Sequence, residues 1–244
     1  MKTVGTIALN TFRESVRNKV LYNILLVALA AIVFSISLGD WSVFARSQVM
    51  QDFGLATMSL TGLLLAVFIG VGMLGREISS KTLYLIIAKP VARWQFVVGK
   101  FSGLLATLLL DYAVLAIVFW AVIAFMGGTP RAALLYAVLL TWIEMAVMIA
   151  ASMFFSTFSS PTLASIFTFG FYAAGHLNDL VSVELLTKKM PVAVAILKSM
   201  YYLLPNLEHF NVRSLVVYRF ELPPSYALWA SLYGLLYVCL LLIL

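Results

Sequence analysis

The strongest constraint on this chain is the recurrence of apolar runs about as long as a bilayer is thick. A hydrocarbon core of about 30 Å is crossed by about 20 apolar residues in a helix. Leu21 to Leu38, Phe53 to Leu74, Phe101 to Met126, Ala132 to Phe155, a run from about Pro161 to Leu180, and Tyr226 to Leu244 fit this measure. The first is slightly short, and the third is long enough to tilt. Of 244 residues, 63% are hydrophobic and 11% are charged, whereas a soluble domain is typically about a quarter charged. The pattern predicts an all-α polytopic membrane protein, with six transmembrane helices in one domain spanning 1–244.

The +6 net charge fits the concentration of Lys and Arg at cytoplasmic membrane flanks better than it fits nucleic-acid binding. With the N-terminus in the cytoplasm, Lys2, Arg13, Arg17 and Lys19 lie inside, and the two short outer loops hold only Arg46 and Arg131. The segment 181–224 then lies outside. Its Lys188, Lys189, Lys198, Arg213 and Arg219 run against the rule, but the first helix usually dominates orientation. The single Cys239 excludes a disulfide framework and a thiolate metal site.

Residues 4–20 predict an amphipathic interfacial helix. Val4, Ile7, Ala8, Phe12, Val16 and Val20 recur at helical spacing, with Arg13, Glu14, Arg17 and Asn18 largely opposite. This start does not read as a cleavable leader. Gly127-Gly128-Thr129-Pro130 reads as a turn. Pro161 suits the first turn of a helix. In 181–224, Val192 to Leu204 is apolar enough for a re-entrant or interface-lying helix, broken at Pro205-Asn206. The plain reading of this outer segment is a cap over the ends of the spans. An inward-going span usually ends in a Lys or Arg anchor, so either the chain continues past Leu244 or this end is atypical.

Between the second and third spans lies a basic, proline-broken loop, 75–100. It holds Arg76, Lys81, Lys89, Arg93 and Lys100 against one acid, Glu77. Glu77 to Ala88 can form a short helix that Lys89-Pro90 ends, because the residue before proline disfavours helix. Pro90 can open the next helix, carrying Arg93, Trp94 and Lys100 at the membrane surface.

Glu77, Lys81-Thr82-Leu83, Leu85, Pro90, Arg93 and Gly99-Lys100 resemble the signature of ABC transporter permeases of the type-2 exporter class. Within it, Leu85-Ile86-Ile87-Ala88-Lys89-Pro90, Arg93-Trp94-Gln95-Phe96 and Leu204-Pro205-Asn206 are most similar to permeases of copper-enzyme (nitrous oxide reductase) maturation. The resemblance covers essentially the whole chain. Lys81 departs from it, standing where the family often has Gly.

The resemblance implies a homodimer of six-helix subunits in a bacterial or archaeal cytoplasmic (inner) membrane, with a separate ABC ATPase subunit on the cytoplasmic face. The loop would be the coupling helix. Arg76, Glu77, Ser80, Lys81 and Thr82 would meet the ATPase, while Pro90 and Arg93 would hold the elbow to the membrane. The amphipathic helix would brace the same contact. The chain itself is expected to be non-catalytic and to hold no cofactor. ATP and magnesium would be bound by the partner, since Gly99-Lys100-Phe101 lacks the preceding Gly and following hydroxyl of a phosphate loop.

Asp111 and Glu144 fall near mid-membrane on oppositely running spans. Such carboxyls usually face a bundle interior or cavity. They read either as packing groups, with Tyr112, Thr141 or Trp142 as partners, or as a cation or proton site. His176, Asn178 and Asp179 cluster at the end of the fifth span, with Glu208 and His209 far along the chain. Two ligands make a weak metal site, so a polar helix end is the plainer reading. Gly62 and Gly70, two turns apart, can line one close face.

Three rival functions follow. One is a transmission module that passes ATPase movement to a periplasmic protein in metalloenzyme maturation. Another is an ion-coupled transporter using Asp111 and Glu144. An intramembrane enzyme lacks a supporting Ser-His or paired-Asp motif.

Overall fold

A computed structural model describes residues 2–42, 45–79, 92–127, 131–177, 204–218, 220 and 223–244. These residues form helices α1 (Lys2–Val16), α2 (Lys19–Asp40), α3 (Arg46–Ser79), α4 (Arg93–Phe125), α5 (Ala132–Phe158), α6 (Pro161–Leu177), α7 (Arg213–Val217) and α8 (Pro224–Ile243), with a 3-10 turn at Leu207–Phe210. No strand occurs among the described residues.

Five of these helices, α2, α3, α4, α5 and α8, are long and apolar enough to cross a membrane. The described part of α6 has 17 residues, and the expected fifth span continued through 178–180, outside the described residues.

Local chemistry sets the boundaries. Asn18, in extended conformation, caps α2, its side chain accepting from the Val20 N–H at 3.0 Å. This cap corrects the expected helix over 4–20: α1 ends at Val16, and Val20 belongs to α2. Gly127 adopts φ +73° just past α4, a conformation that carries little cost without a Cβ. Pro161 opens α6 as its sequence position predicts.

The bundle is organised around α5. From Glu144 to Met153 every side chain on α5 is buried. That helix packs against α3, α4, α6, α8 and the 3-10 turn. By contrast, α2 and α8 leave large apolar side chains exposed, among them Leu26, Val27, Trp229 and Leu236. In a membrane protein such faces meet lipid or other spans.

The close approach of α3 to its neighbours depends on small residues two turns apart. A Cβ at Gly62 would run into the Tyr112 hydroxyl and the Met145 side chain, and one at Gly70 would run into Ser152. A Cβ at Gly72 would meet nothing within 4 Å. The Tyr112 hydroxyl donates to the Met58 carbonyl at 3.0 Å, so displacing it also breaks a buried hydrogen bond. Gly62→Ala is therefore expected to lower stability by about 1–3 kcal/mol, as overpacking does. Gly72→Ala should be neutral or stabilising by up to about 1 kcal/mol, from helix propensity. Thermal unfolding of the two variants in one detergent checks the pair, and equal melting temperatures would count against the close-packed face.

The N-terminal helix is more than a surface anchor. It lies along the first turns of α4, with Gly99 facing Ile7 and Gly103 facing the Ala8 carbonyl and Thr11. Thr11 and Ser15 are fully buried by this contact, although both are polar. Lys100, expected at the membrane surface, is buried as well, its Nζ 5.8 Å from the centre of the Phe96 ring.

Candidate functional site

Two regions bear on function: the end of α3 that leads into the basic loop, and a polar cluster in the bundle.

The first begins as a continuation of a span. Arg76 and Glu77 lie on α3, which runs unbroken to Ser79. The expected separate short helix starting at Glu77 is thus corrected at its beginning. The span carries on past Leu74 as one helix, in keeping with the absence of proline before Pro90. Ser80, Lys81, Thr82 and Pro90 lie outside the described residues. Arg93 is the first residue of α4, and Trp94 beside it is largely exposed. Ala92 accepts the start of this helix in extended conformation, and the helix runs straight on into the third span.

The polar cluster centres on three elements, α5, α6 and the 3-10 turn, and reaches α8 and α3. Glu144, at the centre of α5, lies 2.8 Å from His176 Nε2. The other ring nitrogen, Nδ1, lies 2.9 Å from Glu208 Oε2 on the 3-10 turn. Asn211 Nδ2 donates to the second Glu208 oxygen at 2.8 Å. The Glu208 N–H donates to Asn206 Oδ1 at 3.1 Å, and the Asn206 N–H donates to the Tyr233 hydroxyl on α8 at 2.8 Å. Tyr172 stacks edge-on against His176 with ring centres 4.5 Å apart and pairs with Ser59 of α3 at 3.3 Å.

The chemistry of this bridge follows from counting protons. Each of its two hydrogen bonds needs one proton, and an ionised carboxylate only accepts. Either the ring is an imidazolium between two carboxylates, or a neutral ring receives a proton from one carboxylic acid. The trio carries a net charge of −1 in both cases. This arrangement satisfies Glu144, only 2% exposed, through a hydrogen-bonded partner. It leaves no gap for a metal between acid and ring, and among the described residues no group of three acids, His or Cys is placed to hold one.

Glu144 is buried, but its partner is none of those expected from the sequence. The Tyr112 hydroxyl donates to Met58, the Thr141 hydroxyl donates to Ala137, and the Trp142 N–H has no partner among the described residues. His176 was singled out, but Glu208, set aside as distant in sequence, is its neighbour. Asp179 lies outside the described residues. Asp111 does not join the cluster, and neither of its oxygens has a hydrogen-bond partner among the described residues. The missed signal was the residue type: one buried ring has two nitrogens and can satisfy two acids from different elements.

The cluster fastens residues 204–217 to the bundle. Leu207, Phe210, Val212, Val216 and Val217 are all buried. Gly175 admits Leu207 and Gly234 admits Phe210 at close range. Arg213 reaches Asp52 on α3 at 2.8 Å, a half-exposed pair contributing at most about 1 kcal/mol but fixing the position of α7. The cap expected from the sequence is therefore an inserted wedge, where 204–217 is described.

A comparison with curated proteins returned no match. The family description "ABC-2 family transporter protein" matches residues 6–242, nearly the whole chain, from within α1 to the end of α8. The crossing helices and their apolar faces fit a transmembrane permease of that kind. The chain belongs to the ABC-2 family of transporter proteins and is a membrane permease subunit of an ABC transporter.

Proposed function

We propose that this permease couples ATP hydrolysis by a separate ABC ATPase subunit to outward movement of a substrate, with its N-terminus in the cytoplasm of a bacterial or archaeal cell and a second copy completing the pathway. The observation that carries the reading is the family match across α1 to α8. Its mechanical counterpart is α3, which joins the membrane bundle and the start of the basic loop as one helix. ATP and magnesium belong to the partner's site. This chain's part is to receive movement at Arg76, Glu77, Ser80, Lys81 and Thr82, with Pro90 and Arg93 seating the elbow.

The wedge of residues 204–217 supports a role for the outer segment in closing the bundle on that side. The same surface suits the second reading, transmission of movement to a periplasmic protein in copper-enzyme maturation, which the Leu204-Pro205-Asn206 resemblance favours.

Glu77→Ala is expected to abolish copurification of the ATPase subunit from native membranes while leaving the permease folded. Affinity purification with mass spectrometry and an ATPase assay reads this directly. Undiminished ATPase recovery with the variant would remove Glu77 from the contact. A periplasmic protein in the wild-type eluate would favour transmission over export.

A further inference from the structure

Asp111 is the buried acid that the cluster leaves out. It is fully buried in the middle of α4. A small cavity between α3, α4 and α5 is lined by Ile69, Leu104, Leu108 and Ile149, and Asp111 and Thr107 are its polar side chains. Among the described residues its oxygens have no hydrogen-bond partner, and an ionised carboxylate so placed is untenable in such surroundings. A sodium-like cation needs several oxygen ligands, and the cavity offers two side chains with oxygen. A proton needs only the carboxylate.

The same side of α4 is polar toward its N-terminal end. Thr107 lies one turn before Asp111, Gly103 two turns before, and Lys100 nearly three. Thr107 and Lys100 are buried. Gly103 has no side chain, and there the buried Thr11 of α1 fills the space against the helix. The Thr107 hydroxyl donates to the Gly103 carbonyl at 3.0 Å, leaving its lone pairs available. The Thr11 hydroxyl has no partner among the described residues. Hydroxyls of this kind, buried and incompletely paired, are where water is held in protein interiors.

We propose that Asp111 is a proton-binding site, and that a seam along α4, formed by Thr107 beside the cavity and by Thr11 of α1 at Gly103, connects it to the end of the bundle where α4 begins. A proton taken from water at that end passes to the carboxylate, giving the neutral acid, and leaves by the same seam. The other titratable groups nearby do not serve this site. Tyr112, next on α4, donates to Met58; Glu144 of α5 is held by His176; Lys100 stands at the far end of the seam over Phe96. The proposal goes beyond the ATPase reading and does not depend on it.

Infrared spectroscopy of the purified full chain in lipid nanodiscs tests it without any transport assay. A protonated-carboxyl C=O band is expected that is lost in Asp111→Asn and shifts down on transfer to heavy water. Thr107→Val and Thr11→Val should keep the band and slow that shift. A spectrum with no Asp111-dependent band would overturn the site, and unchanged exchange in both threonine variants would overturn the path. If Asp111→Asn does not fold, dicyclohexylcarbodiimide decides the first point on the wild type, because a protonated carboxyl adds across its C=N bond. Modification of the Asp111 peptide supports the site, and its absence overturns it.

Discussion

His176→Ala is expected to destabilise the protein by roughly 3–5 kcal/mol, the range found when one partner of a buried charged pair is removed. The loss arises at Glu144 rather than at the ring. Glu144 is almost completely buried, and His176 is its hydrogen-bond partner in the cluster. Glu208 suffers less, because it is about a third exposed and keeps Asn211 and its backbone contact with Asn206. Glu208→Gln should therefore cost less than His176→Ala. Adding Glu144→Gln to His176→Ala should recover part of the loss, since a stranded amide is less costly than a stranded charge. The double-mutant cycle gives the coupling, expected at about 0.5–3 kcal/mol for groups in one network. Thermal unfolding of the wild type, His176→Ala, Glu144→Gln, their combination and Glu208→Gln in one detergent is the measurement. A wild-type melting temperature for His176→Ala would mean that the bridge contributes nothing to the fold.

Gly103→Val should produce the second large effect, by forcing α1 away from α4. A Cβ at this position would lie 2.5 Å from the Ala8 carbonyl and 2.6 Å from the Thr11 Cβ. The first of these is backbone, so no side-chain rotation relieves it. Overpacking of this kind costs about 1–3 kcal/mol, occasionally more. Two readouts are expected to move together: a lower melting temperature, and faster amide hydrogen exchange throughout α1. Gly5→Ala is the matched control, because a Cβ there meets nothing within 4 Å and should raise helix stability by up to about 1 kcal/mol. Unchanged exchange in α1 for Gly103→Val would show that the helix is not held by this contact.

Five of the six expected spans were legible as helices long enough to cross a membrane, because their signal is length and composition, which need no partner to be read. Leu21 to Leu38 sits inside α2, and Phe101 to Met126 overlaps α4, which begins at Arg93 and ends at Phe125. Gly62 and Gly70 were legible too, as helical spacing put them on one face before their neighbours were known. What could not be read was pairing across long stretches of chain. Glu144 and Glu208 are joined through His176, each 32 residues from the ring, and nothing local marks such a bond. The amphipathic start was read from its apolar stripe. Yet the contact with α4 buries Thr11 and Ser15, because small polar side chains let two helices approach closely. Asp111 and Glu144 looked equivalent by depth, but one faces a ring on the next helix and the other an apolar cavity.

The length of α3 has a geometric consequence. At about 1.5 Å per residue its 34 residues extend about 51 Å, against a hydrocarbon core of about 30 Å. Glu77 lies near one tip, and Asp52, tied to Arg213 of the outer wedge, lies near the other. With no break between them, a rigid tilt of the helix would pivot it like a see-saw about its close-packed glycine face. A tilt of about 10° about its middle would carry each tip about 4 Å, in opposite directions, given the helical rise. Under the proposed coupling, a push at Glu77 would thus reach the wedge with its sign reversed.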